Sequence, residues 1–238
     1  MTSSAGSTLV LLPGNMCDER LWADDVRHVL PVAVDADLTR DDSIAGMAAR
    51  ALEQTEGLLI PVGFSMGAIV AVEMWCQAPA RVAGLVLLGY NATADLPERA
   101  AHRPVQQTEV RSGGLERVLV DELKPNYLAE AHRRNVALLD LLRDMGVALG
   151  VEVFVAQSEA LRLRAGRVAA LSGIAVPVLY GCGSEDALCQ PDWHRRWAAL
   201  TPGAAFTEFA GAGHMLPLEA PAALATAIAD WLDTKGLK

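Results

Sequence analysis

Basic charge is scarce in this chain. Its 238 residues hold 20 Lys and Arg against 29 Asp and Glu, a formal charge of −9, with a pI near 5.0. Nucleic-acid binders carry a basic footprint, and anionic membranes attract basic segments. The balance therefore predicts neither nucleic acid nor membrane as a partner. No apolar run approaches the roughly 18 residues that a membrane span needs. Met1–Ser7 has neither a basic n-region nor an apolar core, so no signal peptide is expected and the expected location is cytoplasmic. Cysteine is sparse too. Cys17, Cys76, Cys182 and Cys189 show no C-x-x-C spacing and no paired framework, which predicts free thiols in a reducing compartment. Cys17 stands apart by lying close to the loop after the first expected strand. There is no metal-ligand cluster, cofactor motif, repeat or low-complexity tract, so no cofactor is implied.

What the chain does have is apolar content, 52% hydrophobic against 21% charged, enough for a large core. Short apolar runs alternate with helix-period segments, the pattern of βαβ units around a parallel sheet. Strands are expected at Thr8–Leu12, Val32–Val34, Leu58–Val62, Val82–Leu88, Val176–Tyr180 and Ala204–Phe209. Helices are expected from Asp18 to about Leu30, from Asp42 or Ser43 through Leu52, from Ser65 to Gln77, and from Pro221 to about Thr234. The fold class is α/β: a doubly wound, mostly parallel sheet of about six strands with helices on both faces. Pro61 conflicts locally with this scheme, because a proline inside a central strand removes a ladder hydrogen bond. Between Ala92 and Arg167 strand signals vanish, and Gly114–Leu123, Ala129–Met145 and Val151–Arg164 have helical period. Residues 92–167 are therefore expected to form a helical cap after the fourth strand, above a core of 8–91 and 168–234.

Within this frame one pentapeptide stands out. Gly63-Phe64-Ser65-Met66-Gly67 lies between an apolar run and a helical segment, and a serine flanked by glycines at a strand-to-helix turn is a nucleophile elbow. A serine hydroxyl needs a base, and the base an orienting acid. In the order Ser…Asp…His, Asp186 follows the fifth strand and His214 the sixth; Glu185 competes with Asp186 through a one-residue register ambiguity. All three candidates follow the carboxyl ends of parallel strands, where open α/β sheets place their sites. His28, His102, His132 and His194 fall on expected helices and read as surface residues. Arg99, Arg103, Arg111, Arg133 and Arg134 read as a solvated face.

Leu11-Leu12-Pro13-Gly14-Asn15, the Ser65 pentapeptide, Gly183-Ser184-Glu185-Asp186 and the run from Gly213-His214-Met215 to Pro221 occur in the order found in α/β-hydrolase-fold proteins of the esterase, lipase and lactonase type. The chain resembles that family from about Thr8 to Leu232, least over 92–167. The resemblance implies Ser65 as nucleophile, His214 as base and Asp186 as its orienting acid. It implies an oxyanion hole from the backbone N–H of Met66 and a second donor after the first strand, Asn15 first and Met16 second. Pro13-Gly14 stands where the family often has His-Gly, and the family's usual opening hairpin is missing. The strand order it implies is 2-1-3-4-5-6. Met16 and Met215 are candidates for a soft wall around the acyl group, with ordinary core packing as the alternative. The implied activity is hydrolysis of a small to medium carboxylic ester, the partner being that small molecule. A lactone or thioester under the same chemistry, a non-catalytic ligand receptor and an acyl-carrier-dependent enzyme remain as alternatives.

Overall fold

The computed structural model describes residues 6–30, 32–123 and 127–237. Its centre is one six-stranded sheet in the order β2-β1-β3-β4-β5-β6, with every neighbouring pair parallel. The strands are β1 (Thr8–Leu12), β2 (Ala33–Asp35), β3 (Leu59–Phe64), β4 (Leu85–Leu88), β5 (Val178–Gly183) and β6 (Ala205–Phe209). The period-two pattern of the strands divides the core. Val10, Leu12, Leu59, Leu85, Leu87, Val178 and Tyr180 pack on one face. Leu11, Ile60, Val62, Phe64, Val86, Leu88 and Leu179 pack on the other. Burial on both faces is why these strands read as continuous apolar runs.

On the first face lie α2 (Ile44–Glu53) and α3 (Met66–Gln77); on the second lie α1 (Asp24–Val29) and α9 (Pro221–Lys235). Ser43 caps α2 by accepting from the Gly46 N–H, satisfying a donor that the first turn leaves orphaned. The continuous helix expected from Asp18 is instead a 3-10 turn at Glu19–Leu21, capped by Asp18, followed by α1. The break falls at Trp22, which is extended and buried with Leu21, Val26 and Leu30; tertiary packing of the indole outweighs helical propensity there. β5 starts later than expected and runs on to Gly183.

The conflict at Pro61 resolves through the neighbouring strand. Toward β4, pairing holds at Leu59–Val82 and resumes at Val62–Val86. Ile60 and Pro61 thus face three residues, Ala83, Gly84 and Leu85. This bulge interrupts the ladder where proline lacks a donor.

Between β4 and β5 the described chain is helical: α4 (Pro97–Glu109), wide turns on either side of α5 (Leu115–Arg117), and α6 (Val136–Leu163). The two helices expected over Ala129–Arg164 are the two halves of α6, divided at Gly150, whose φ of +83° is not helical; the first begins at Val136 rather than Ala129. The helices α7 (Pro191–Leu200) and α8 (Leu216–Glu219) complete the set. No helix among the described residues is long and apolar enough to cross a membrane.

Candidate active site

Ser65 sits between β3 and α3 with φ +52° and ψ −113°, a backbone state that is costly for any residue with a side chain. Its neighbours explain how the turn closes. A Cβ on Gly63 would lie 2.4 Å from the Gly67 carbonyl oxygen, and one on Gly67 would lie 2.0 Å from that of Leu12. Both positions therefore require glycine, and the strain holds the Ser65 hydroxyl above the sheet.

Three side chains meet at the carboxyl ends of the strands. His214 Nε2 is 3.0 Å from Ser65 Oγ, and His214 Nδ1 is 2.8 Å from Asp186 Oδ2. Asp186 Oδ1 also accepts from the backbone N–H groups of Leu188 and Cys189. Burial would push this carboxyl up, but electrostatic attraction to His214, the hydrogen bond from its ring and the two N–H donors together hold it below the usual carboxylate range. An ionised carboxylate only accepts. Nδ1 of His214 must therefore donate, leaving the Nε2 lone pair for the Ser65 hydroxyl proton. The imidazole is packed between the rings of Phe64 and Tyr127, at centroid distances of 5.1 and 5.8 Å. Its backbone N–H donates to the Tyr127 carbonyl. Glu185 points elsewhere: its carboxylate accepts from the Glu130 N–H.

Met66 is the first residue of α3, so its N–H has no partner within the helix. In the loop after β1 the Met16 N–H donates to Gln157 Oε1 at 2.8 Å. The Asn15 N–H has no partner among the described residues, and Asn15 lines the same cavity as Ser65 and Met66. Of the two possible second donors, only Asn15 has an uncommitted backbone N–H.

That cavity measures about 370 Å³. Met16 and Met215 are not among its lining residues. Met16 packs with Val110, Val118, Leu119 and Phe154 and borders a narrow adjoining cleft, while Met215 lies in the core under β3 and β4. The thioether and aliphatic surface facing the cavity comes from Met66, Ile69, Leu123 and Leu161 instead. Two further expectations need correction. His194 is fully buried: its Nε2 accepts the Tyr90 N–H at 2.8 Å, and burial pushes its pKa down to about 4. Arg99 and Arg103 line the cavity and do not merely coat a solvated face. Among the described residues none of the four cysteines forms a disulfide.

Two supporting residues escaped the sequence reading. Gln157, on α6 and 1% exposed, accepts from both the Asn15 side chain and the Met16 N–H and donates to the Leu38 carbonyl. Nothing near it in sequence marks this role. Glu219 accepts from the N–H groups of Gly213 and Ala129 and sits 2.9 Å from His132 Nδ1, bracing the loop that carries His214. Glu219 lies in the motif around His214, which was the available signal. Asp186, Cys189 and His214 could together offer three atoms to a metal ion. Burial, however, pushes the Cys189 thiol well up, away from the thiolate that metals bind.

The match to the description "Alpha/beta hydrolase family" covers residues 9–227, and the chain belongs to that family. It is 25% identical over 240 residues to the biotin biosynthesis bifunctional protein BioHC of Cellvibrio japonicus, covering 95% of this chain and 47% of that protein. The chain thus spans about half the length of this curated relative. Among solved structures it is similar to a thermophilic esterase from Thermogutta terrifontis, with TM-score 0.87, 23% identity, and 96% and 90% of the two chains covered. It is similar also to the enol-lactonase of Burkholderia xenovorans, with TM-score 0.80, 21% identity, and 98% and 94% covered.

Proposed function

We propose that this protein is a serine hydrolase that cleaves a small to medium carboxylic ester through an acyl-enzyme. The observation that carries the reading is the unbroken chain of contacts from Ser65 Oγ through His214 to Asp186 at the floor of a 370 Å³ cavity. That volume is in the range of small-ligand sites.

In this reading Ser65 Oγ attacks the acyl carbon as His214 Nε2 takes its proton. The N–H groups of Met66 and Asn15 receive the developing oxyanion, the group whose stabilisation usually contributes most. Collapse breaks the ester C–O bond, and His214 returns the proton to the departing alcohol. Water, deprotonated by His214, then attacks the acyl carbon; the acid leaves and Ser65 regains its proton. Asp186 holds the imidazole tautomer and offsets the imidazolium charge. Residues 92–167 act as a cap that shapes entry to the core of 8–91 and 168–234. A lactone would open by the same steps, its alcohol staying attached to the acid, and the likeness to an enol-lactonase makes it the second reading.

A fluorophosphonate probe with p-nitrophenyl butyrate tests the proposal. Covalent labelling that maps to Ser65 and disappears in Ser65→Ala, together with ester turnover, is the expected result. Folded protein that takes no label and turns over neither esters nor lactones would favour a ligand receptor.

A further inference from the structure

One side of the cavity is built from charges that the reaction does not use. Asp95, 2% exposed at its side chain, is shared by two arginines. Arg103 Nε lies 2.6 Å from its Oδ2 and Arg164 Nη1 lies 3.0 Å from its Oδ1. The two guanidinium side chains are only 16% and 6% exposed, and both line the cavity that contains Ser65 and His214. One carboxylate against two guanidiniums leaves one positive charge uncompensated in a largely desolvated place, which is costly unless an anion completes the set. Arg164 registers the shortage. Burial, opposed by Asp95 and reinforced by the like charge of Arg103, holds it below its usual value.

Glu98 and Glu122 also line the cavity, but among the described residues neither pairs with Arg103 or Arg164, whose ion-pair partner is Asp95. Arg99 lies one helical turn before Arg103 on the same face of α4 and lines the cavity with no ion pair among the described residues. Glu122 is committed to Arg117, Gln106 and His102, with Arg117 shared by Glu109, and Glu98, like Arg99, is exposed. Nor are the free guanidinium donors sealed in the core: among the described residues, the buried side-chain donors without a partner are the indoles of Trp22, Trp197 and Trp231. The overall charge of −9 does not decide the matter, since at physiological salt charges beyond about 8 Å are largely screened.

We propose that Arg103 and Arg164, with Arg99 at the mouth, form a subsite for a carboxylate, so that the preferred substrate is an ester whose acyl part carries a second, ionised carboxyl group. This rests on the ester-hydrolase reading above. Guanidinium forks match a carboxylate in pairs of hydrogen bonds, and a hydrogen bond to a charged group is worth about tenfold or more in affinity.

The test compares p-nitrophenyl hydrogen adipate with p-nitrophenyl hexanoate, corrected for spontaneous hydrolysis, in wild type, Arg99→Gln and Arg103→Gln. The expected result is a kcat/KM ratio favouring the acidic ester by about tenfold or more, carried by KM. That ratio should fall toward one in Arg103→Gln, fall part of the way in Arg99→Gln, and shrink with added salt. As a readout independent of the folding of Arg103→Gln, Ser65→Ala is also heated with adipate and, separately, with adipamide; only the dianion should raise Tm. A wild-type ratio at or below one, with no Tm shift from adipate, overturns the subsite while leaving the hydrolase reading intact. Failure of both esters and of Ser65 labelling overturns both.

Discussion

Each residue at the reacting end of the cavity carries a separable expectation. Ser65→Ala or His214→Ala should each lower kcat on p-nitrophenyl butyrate by about 10⁶, and Asp186→Asn by about 10⁴, since the acid orients rather than reacts. Glu185→Gln should stay near wild type, because its carboxylate holds the Glu130 N–H and does not reach His214. His194 predicts a pH effect on stability rather than on chemistry. Its folded pKa of about 4 lies below the ordinary 6.5, so between these values the unfolded chain binds the proton that the folded one refuses. Stability therefore falls as pH drops through that window, by about 3 kcal/mol for the full interval. Urea unfolding between pH 7 and 4 measures it. His194→Gln, which keeps an acceptor for the Tyr90 N–H, should flatten that slope.

The elements meet through a few contacts that local pattern could not announce. Gly67 sits against the end of β1, and Gly67→Ala would force a Cβ to 2.0 Å from the Leu12 carbonyl. It should cost more than about 3 kcal/mol in denaturant unfolding, as overpacking against backbone does. Gln157 ties α6 to the loop after β1. Gln157→Leu leaves the buried Met16 N–H and the part-buried Asn15 amide without an acceptor, which should cost about 1–3 kcal/mol. It should also lower kcat more than it raises KM, because the loop carries the Asn15 N–H. Gln157→Glu keeps the acceptor but loses the donor to the Leu38 carbonyl and buries a carboxyl, so it should recover only part of kcat. Asn15→Ala should have a mild effect of the same kind, since its side chain anchors to Gln157 as well.

For the whole molecule, the strand order places the loop after β1 beside the turn after β3, because β1 and β3 are neighbours while β2 lies outside them. Asn15 and Ser65 meet there although 50 residues separate them in the chain. The helical segment is fastened to this end of the sheet by Glu219, whose acceptors serve Gly213 on the core side and Ala129 and His132 on the other. Glu219→Ala should lower stability by about 2 kcal/mol or more and depress kcat through a displaced His214; thermal unfolding and steady-state kinetics separate the two effects.

Much of this was legible beforehand. Apolar alternation announced six strands, since both faces of a parallel sheet must be buried, and the resemblance to the α/β-hydrolase family supplied their order. Glycines around Ser65 announced the elbow, since nothing larger fits so tight a turn. Asp186 and His214 each stood out by following a strand, and the structure brings their side chains to 2.8 Å. Tertiary structure alone decided the rest. It chose Asp186 over Glu185, because one residue of register turns a side chain toward His214 or away from it. It committed the Met16 N–H to Gln157, 141 residues distant, leaving that of Asn15 free. It also drew Met16, Met215 and His194 into the core and turned Arg99 and Arg103 toward the cavity. Strand and helix periods are local properties that neighbouring residues record, whereas contacts between segments far apart in the chain leave no such trace and exist only once the sheet has closed.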